Sequence, residues 1–220
     1  MTNKTINEIE IIYEDQNLIV VNKPEGLASI HDSNGKVIDL QTLLQDKLKI
    51  KIYVLHRLDK DVSGIILYAK NPKTHKFLNQ QFENRIVKKT YLALVHGLIK
   101  EKSGLIDKPI KEFGSGRMGV AEKGKESKTF YKVIESYQNY SLVELSPTTG
   151  RKHQLRVHLY SIGHPIVGDK LYGEKEIQKN YPRLMLHAKS ITFNLTDTKK
   201  LYLEANLPKS FSSFINSFKL

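Results

Sequence analysis

The chain contains no cysteine. That single absence removes disulfides, thiolate nucleophiles and every cysteine-based zinc site. No apolar run reaches membrane-spanning length, which argues against a membrane protein. The opening residues, MTNKTINEIEIIYED, lack the apolar segment of a secretory signal. There is no GxxxxGK[ST] phosphate loop, no GxGxxG dinucleotide fingerprint and no HExxH zinc pattern. His153 and His158 are five apart and share a helical face poorly, so they do not make a metal pair. No repeat, low-complexity tract or linker interrupts the chain. The expectation is a cytoplasmic protein that needs neither metal nor redox cofactor.

What is present points to an anionic partner. Lys and Arg number 35 against 23 Asp and Glu, a formal net charge of +12 over 220 residues. On a compact chain this excess makes a positive face, and nucleic acid ranks ahead of membrane as its partner. The plain alternative is a soluble protein rich in lysine for no specific reason. Apolar residues make up 40% of the chain, enough for a substantial core. The length suits one domain over residues 1–220.

Short alternating or β-branched segments dominate. Strands are predicted at residues 8–13, 18–21, 50–55, 65–69, 91–95, 130–134, 141–145, 184–193 and 201–205. Helical spacing marks residues 37–48, 74–82, 151–161 and 211–218, with Asn71-Pro72 opening the second and Gly163 closing the third. Strands with helices between them give an α+β fold around a mixed, largely antiparallel sheet with flanking helices and loops. Residues 107–128 read as the least ordered stretch, a glycine-rich basic loop containing Lys123, Lys125 and Lys128. Such a loop suits a phosphate backbone or, equally, a solvated hairpin excursion.

Two constellations carry candidate chemistry. The first is HRLDKDVSG at residues 56–64, a polar block between two apolar flanks. It places Asp59 beside Arg57 on a turn held by strands, the way to fix a catalytic acid against a polyanion. The competing reading is a surface ion pair. The second is SPTTGRKHQLRVH at residues 146–158. Thr148 or Thr149 can cap a helix or meet a phosphate, and Arg151, Lys152 and His153 form a cationic first turn. Positive charge at a helix start opposes the helix dipole, which points to an anionic partner. A basic amphipathic surface helix is the alternative. Tyr91 enters an apolar strand and can either stack on a base or fill the core.

Five ordered blocks resemble the RluA-type pseudouridine synthases. They are HRLDKDVSGIILYAK, KKTYLALVHG, TTGRKHQLRVHL, GHPIVGDKLYG and RLMLHAKSITF. YEDQNLIVVNKPEGL is similar to that family's opening strand and proline turn, so the resemblance runs from about residue 11 to about 211. It implies isomerisation of uridine to pseudouridine in structured ribosomal or transfer RNA, with the base extruded from its stack. It also implies that Asp59 is the catalytic aspartate and that Tyr91 stacks on the base and assists loss of the C5 proton. Arg156 would pair with the aspartate, Arg57 would occupy the space left by the extruded nucleotide, and Leu186 would line the pocket. Few residues precede Tyr13, so the chain resembles a minimal form without the family's N-terminal S4-like module.

Val62 departs from the threonine common in the family at that position, which removes one hydroxyl. Asp59 has two roles open to it: nucleophile at C1′, or base for the 2′ proton. Both use an ionised carboxylate. A non-catalytic RNA-binding protein and a metal-dependent nuclease using Asp59 and Asp61 are the competing classes. A monomer with no obligate protein partner is expected.

Overall fold

The computed structural model describes residues 9–31 and 38–218. The chain resolves into two compact units, residues 1–89 with 188–208 and residues 90–187 with 209–220. The division falls within two strands, so no change of composition marks it.

In the first unit, β1 (Glu10–Glu14), β2 (Leu18–Lys23) and β4 (Ser63–Ala69) form an antiparallel set, and β3 (Tyr53–Val54) also pairs with β4. Every residue of β4 is buried and nearly all of β2. That matches their continuous apolar runs, the mark of strands covered on both faces. Helix α1 (Leu40–Leu48) is capped by Asp39, whose carboxylate accepts the Thr42 amide. Helix α2 (Pro72–Glu83) starts as expected, with Asn71 capping it and proline at its first position.

In the second unit, β5 (Lys88–His96), β10 (Tyr140–Pro147), β9 (Lys128–Ser136) and β6 (Ser103–Asp107) lie side by side, each pair antiparallel. Residues 107–128, read either as a basic loop or as a hairpin excursion, contain an ordered hairpin of β7 (Ile110–Glu112) and β8 (Met118–Val120). Its strands are three residues each, too short for the alternation that reveals a strand in sequence. Ile110, 1% exposed, packs on Val157 and Tyr172 and anchors the hairpin.

Helix α3 (Gln154–Ser161) begins three residues later than expected. His153 stands before it at φ +56, so Arg151 and Lys152 precede the helix and do not form its first turn. Gln154 to Leu159 are all buried, so α3 is a core helix and not a basic surface one. A short α4 (Lys175–Gln178) follows. Strand β11 (Leu186–Asn194) pairs with β12 (Lys200–Glu204), and α5 (Lys209–Asn216) closes the chain.

Candidate active site

The loop carrying Asp59 joins β3 to β4 and is fixed at both of its flanks. Lys23, fully buried at the end of β2, donates from its ammonium to the carbonyls of Pro24, Leu27 and Lys60 at 2.9, 2.7 and 3.0 Å. The Lys60 carbonyl also accepts the Gly26 amide. On the other side the buried Ser29 hydroxyl donates to the Leu58 carbonyl at 2.7 Å and accepts the Leu58 amide at 3.0 Å. The Tyr68 hydroxyl fastens the Ser29 carbonyl from β4. Asp59 is half-buried between these points, Arg57 is exposed, and the Asp59 carbonyl accepts the Val62 amide. Val62 is 3% exposed, an apolar setting that suits its missing hydroxyl. Gly64 adopts φ +117, and a Cβ there would overlap the Ala188 carbonyl, which explains the glycine of the VSG sequence.

The same unit holds a half-buried, neutral imidazole at the start of this loop. His56 stacks on Phe82 at 5.1 Å, and its Nε2 accepts the Leu67 amide. Burial, with the Lys89 ammonium second, pushes its pKa down to about 3. The Lys89 ammonium lies over the same Phe82 ring, and burial lowers its pKa.

Arg156 sits in the second unit on the buried face of α3. Its Nε and Nη2 donate in parallel to both carboxylate oxygens of Asp169, each at 2.8 Å. This is the fork geometry that only arginine offers a carboxylate. Asp169 is fully enclosed, and its Oδ1 also accepts the amides of Leu171 and Tyr172. The turn needs Gly168, at φ +79, where a Cβ would collide with the Arg183 carbonyl. Sequence reasoning passed over Asp169. Its signal was the GDKLYG segment, 13 residues from Arg156.

The other candidates of the second unit stand at the following places. Tyr91 is half-buried on β5, opposite Leu145 of β10. Leu186 is buried, and the Arg183 guanidinium holds its carbonyl. His153 meets the Tyr172 hydroxyl through Nδ1 at 2.9 Å. Thr149 is 6% exposed; its hydroxyl donates to Gln154 and accepts the Lys128 amide, both internal contacts. Arg151 Nε donates to the Glu126 carbonyl, and Lys152 pairs with Glu112 at 3.0 Å. Lys128 pairs with Asp107 at 3.1 Å and Glu126 at 3.5 Å. Lys123 and Lys125 are exposed. Asp59 and Arg57 thus belong to the first unit; the remaining candidates belong to the second.

A family model described as RNA pseudouridylate synthase matches residues 17–161. The chain is 36% identical to tRNA pseudouridine synthase C of Haemophilus ducreyi, over 96% of both proteins. It is 35% identical to ribosomal large subunit pseudouridine synthase D of Borreliella burgdorferi, over 96% of this chain and 68% of that one. Among solved structures, human RNA pseudouridylate synthase domain containing 1 superposes with a TM-score of 0.81 at 28% identity, covering 97% of this chain and 96% of the other.

The chain belongs to the RNA pseudouridine synthase family. It is an isomerase that converts uridine in RNA to pseudouridine, which sets aside the binding-module and nuclease readings. The stretch matched by the synthase model includes Asp59, Tyr91 and Arg156; Asp169 and Tyr172 follow it in the chain. Among the described residues no helix is long and apolar enough to cross a membrane.

Proposed function

We propose that Asp59 is the essential carboxylate of this synthase and that Arg156, oriented by Asp169, serves the same reaction. The observation that carries this is the double anchoring of the Asp59 loop, by Lys23 on one side and Ser29 on the other. A loop held by a buried ammonium and a buried hydroxyl presents one geometry, which is what a group attacking a single atom requires. In the reaction the C1′–N1 bond breaks and a C1′–C5 bond forms. C5 gives up its proton and N1 gains one. Asp59 acts either as the nucleophile at C1′ or as the base for the 2′ proton, and both roles use its ionised form. Tyr91 stacks on the displaced base and helps remove the C5 proton, Leu186 walls the pocket and Arg57 fills the vacated stack.

The substrate is transfer RNA or ribosomal RNA, in line with the names of the relatives. RNA is held through Arg57, Lys123, Lys125, Arg151, Lys152 and His153; the buried Thr149 and the carboxylate-paired Lys128 shape that surface from within. The enzyme works as a cytoplasmic monomer, since this one chain supplies every candidate group. Asp59→Asn tests the central assignment. The amide is nearly isosteric, so folding and RNA affinity should persist while pseudouridine formation disappears. The measurement is tritium release from RNA made with uridine tritiated at C5, beside a thermal melt. Substantial turnover by the folded variant removes Asp59 from the chemistry.

A further inference from the structure

We infer that Tyr172 is a positioning residue that ties the β7–β8 hairpin to the Arg156 guanidinium, so that RNA held by the hairpin sets the geometry of the arginine. The inference rests on the proposed role of Arg156. Tyr172 is 2% exposed. The Arg156 guanidinium lies over its ring, 5.1 Å from the centroid, and the Arg117 guanidinium lies over the same ring at 5.2 Å. Arg117 comes from the hairpin, on the exposed turn entering β8. The Tyr172 hydroxyl accepts the Met118 amide at 3.3 Å and meets His153 Nδ1 at 2.9 Å. Ile110 and Met118 of the hairpin pack against Tyr172 and Val157. The hairpin therefore cannot shift without carrying the ring and hydroxyl of Tyr172.

The charges give this tie a direction. Two cations over one ring repel each other unless an anion compensates them. Arg156 has its anion, Asp169, from the same turn that carries Tyr172. Arg117 has no carboxylate in ion-pair reach among the described residues, and it is exposed. A phosphate group of RNA is the anion its position suits. Phosphate on Arg117 would neutralise that repulsion and pin the Arg117 guanidinium over the ring, which holds the ring in place under Arg156 and makes Arg117 part of its support. Substrate contact at the hairpin would then firm the arginine while adding no contact to it.

The test is a double-variant cycle with single-turnover tritium release at saturating RNA. The probe is a mixture of unmodified transfer- and ribosomal-RNA transcripts made with uridine tritiated at C5. Arg117→Gln should slow the saturated step about fivefold, the equivalent of one cation–π contact of ~1 kcal/mol. In a Tyr172→Leu background the same substitution should change nothing, because the ring that connects the two arginines is gone. Tyr172→Phe, which keeps the ring, should retain the Arg117 effect and covers the case where the leucine variant does not fold. A loss of affinity with an unchanged saturated rate, or equal losses in both backgrounds, overturns the inference. The Nε–H resonance of Arg156 gives a second reading that needs no turnover. Arg117→Gln should move it in the RNA-free protein, and an unmoved signal overturns the tie. Failure of the proposed Arg156 role looks different: Arg156→Lys would turn over at the wild-type rate while the resonance still responded to Arg117→Gln.

Discussion

Around Asp59 the fixed points are backbone carbonyls; around Arg156 they are side chains. Lys23 and Ser29 fix that loop through its main chain. They hold Pro24, Leu27, Leu58 and Lys60 by their main-chain oxygens. Arg156 rides a buried helix and is gripped directly by Asp169 and overlain on Tyr172. The first arrangement fixes where a loop stands through its backbone. The second merges support and functional group into one charged network. Substitutions should therefore separate folding from chemistry in the first case and confound them in the second.

The sharpest form of that contrast pairs Asp59→Asn with Asp169→Asn. The first should abolish turnover and leave the melting temperature near wild type. The second breaks a buried fork and leaves Arg156 partly unpaired, which typically costs ~3–5 kcal/mol. Turnover should fall as well, and the loss of stability should be plain by urea denaturation. An Asp169→Asn protein as stable as wild type would mean that the pair is not a support, and the contrast would collapse.

Lys23→Met comes next. It strips three backbone acceptors of their donor in a fully buried setting. An unsatisfied buried polar group costs ~1–3 kcal/mol, and some of these carbonyls have other partners. We expect a loss of about 3 kcal/mol and a drop in turnover without a comparable drop in RNA affinity. Wild-type kinetics in a destabilised Lys23→Met protein would show that the Asp59 loop does not need this anchor.

How much of this was legible in the sequence follows from the same contrast. The apolar runs of β2 and β4, the Asn71-Pro72 helix start and the polar block around Asp59 were readable because each is a local pattern. The Asp169 partner was not, because an ion pair 13 residues apart depends on the turn at Gly168, whose need for glycine comes from the distant Arg183 carbonyl. The cationic start expected for α3 dissolved for a similar reason. His153 takes a left-handed conformation and the helix begins after it, so the conflict with the dipole never arises. The hairpin at residues 110–120 stayed one of two open readings because its order comes from Ile110 packing on Val157 and Tyr172, not from its own alternation.

Acid should weaken both regions, and the slope can be assigned. His56 stays neutral when folded, with its pKa pushed down to about 3, while the unfolded ring takes up a proton near its ordinary 6.5. Between those values the unfolded chain binds the extra proton, so stability falls as pH falls through this window. One such group contributes at most ~1.4 kcal/mol per pH unit. His158 adds in the same direction: burial lowers its pKa, between Thr129 and the Lys108 carbonyl. Urea denaturation from pH 7 to about 4.5 should show the slope, and His56→Gln should reduce it. An unchanged slope would place the proton uptake elsewhere.

The smallest effects should come from the lysines at the base of the hairpin, and they should not be alike. Lys123 and Lys125 are exposed and form no ion pair among the described residues, so an RNA phosphate meets them as unneutralised cations. Lys128 already has two carboxylates, Asp107 and Glu126, which hold its pKa above the usual lysine value. Each phosphate neutralised by a lysine releases counterions, and log affinity falls with log salt by about 0.7–0.9 per contact. Lys123→Gln and Lys125→Gln should each flatten the salt dependence by that amount. Lys128→Gln should leave the slope nearly unchanged, because its charge is spent inside the protein. It should still weaken binding at every salt concentration, because it exposes Asp107 and Glu126 to the phosphates. A salt series for the three single variants, on the transfer- and ribosomal-RNA transcripts, separates slope from offset. Equal flattening by all three would show that RNA displaces both carboxylates from Lys128, and that the base of the hairpin opens when substrate binds.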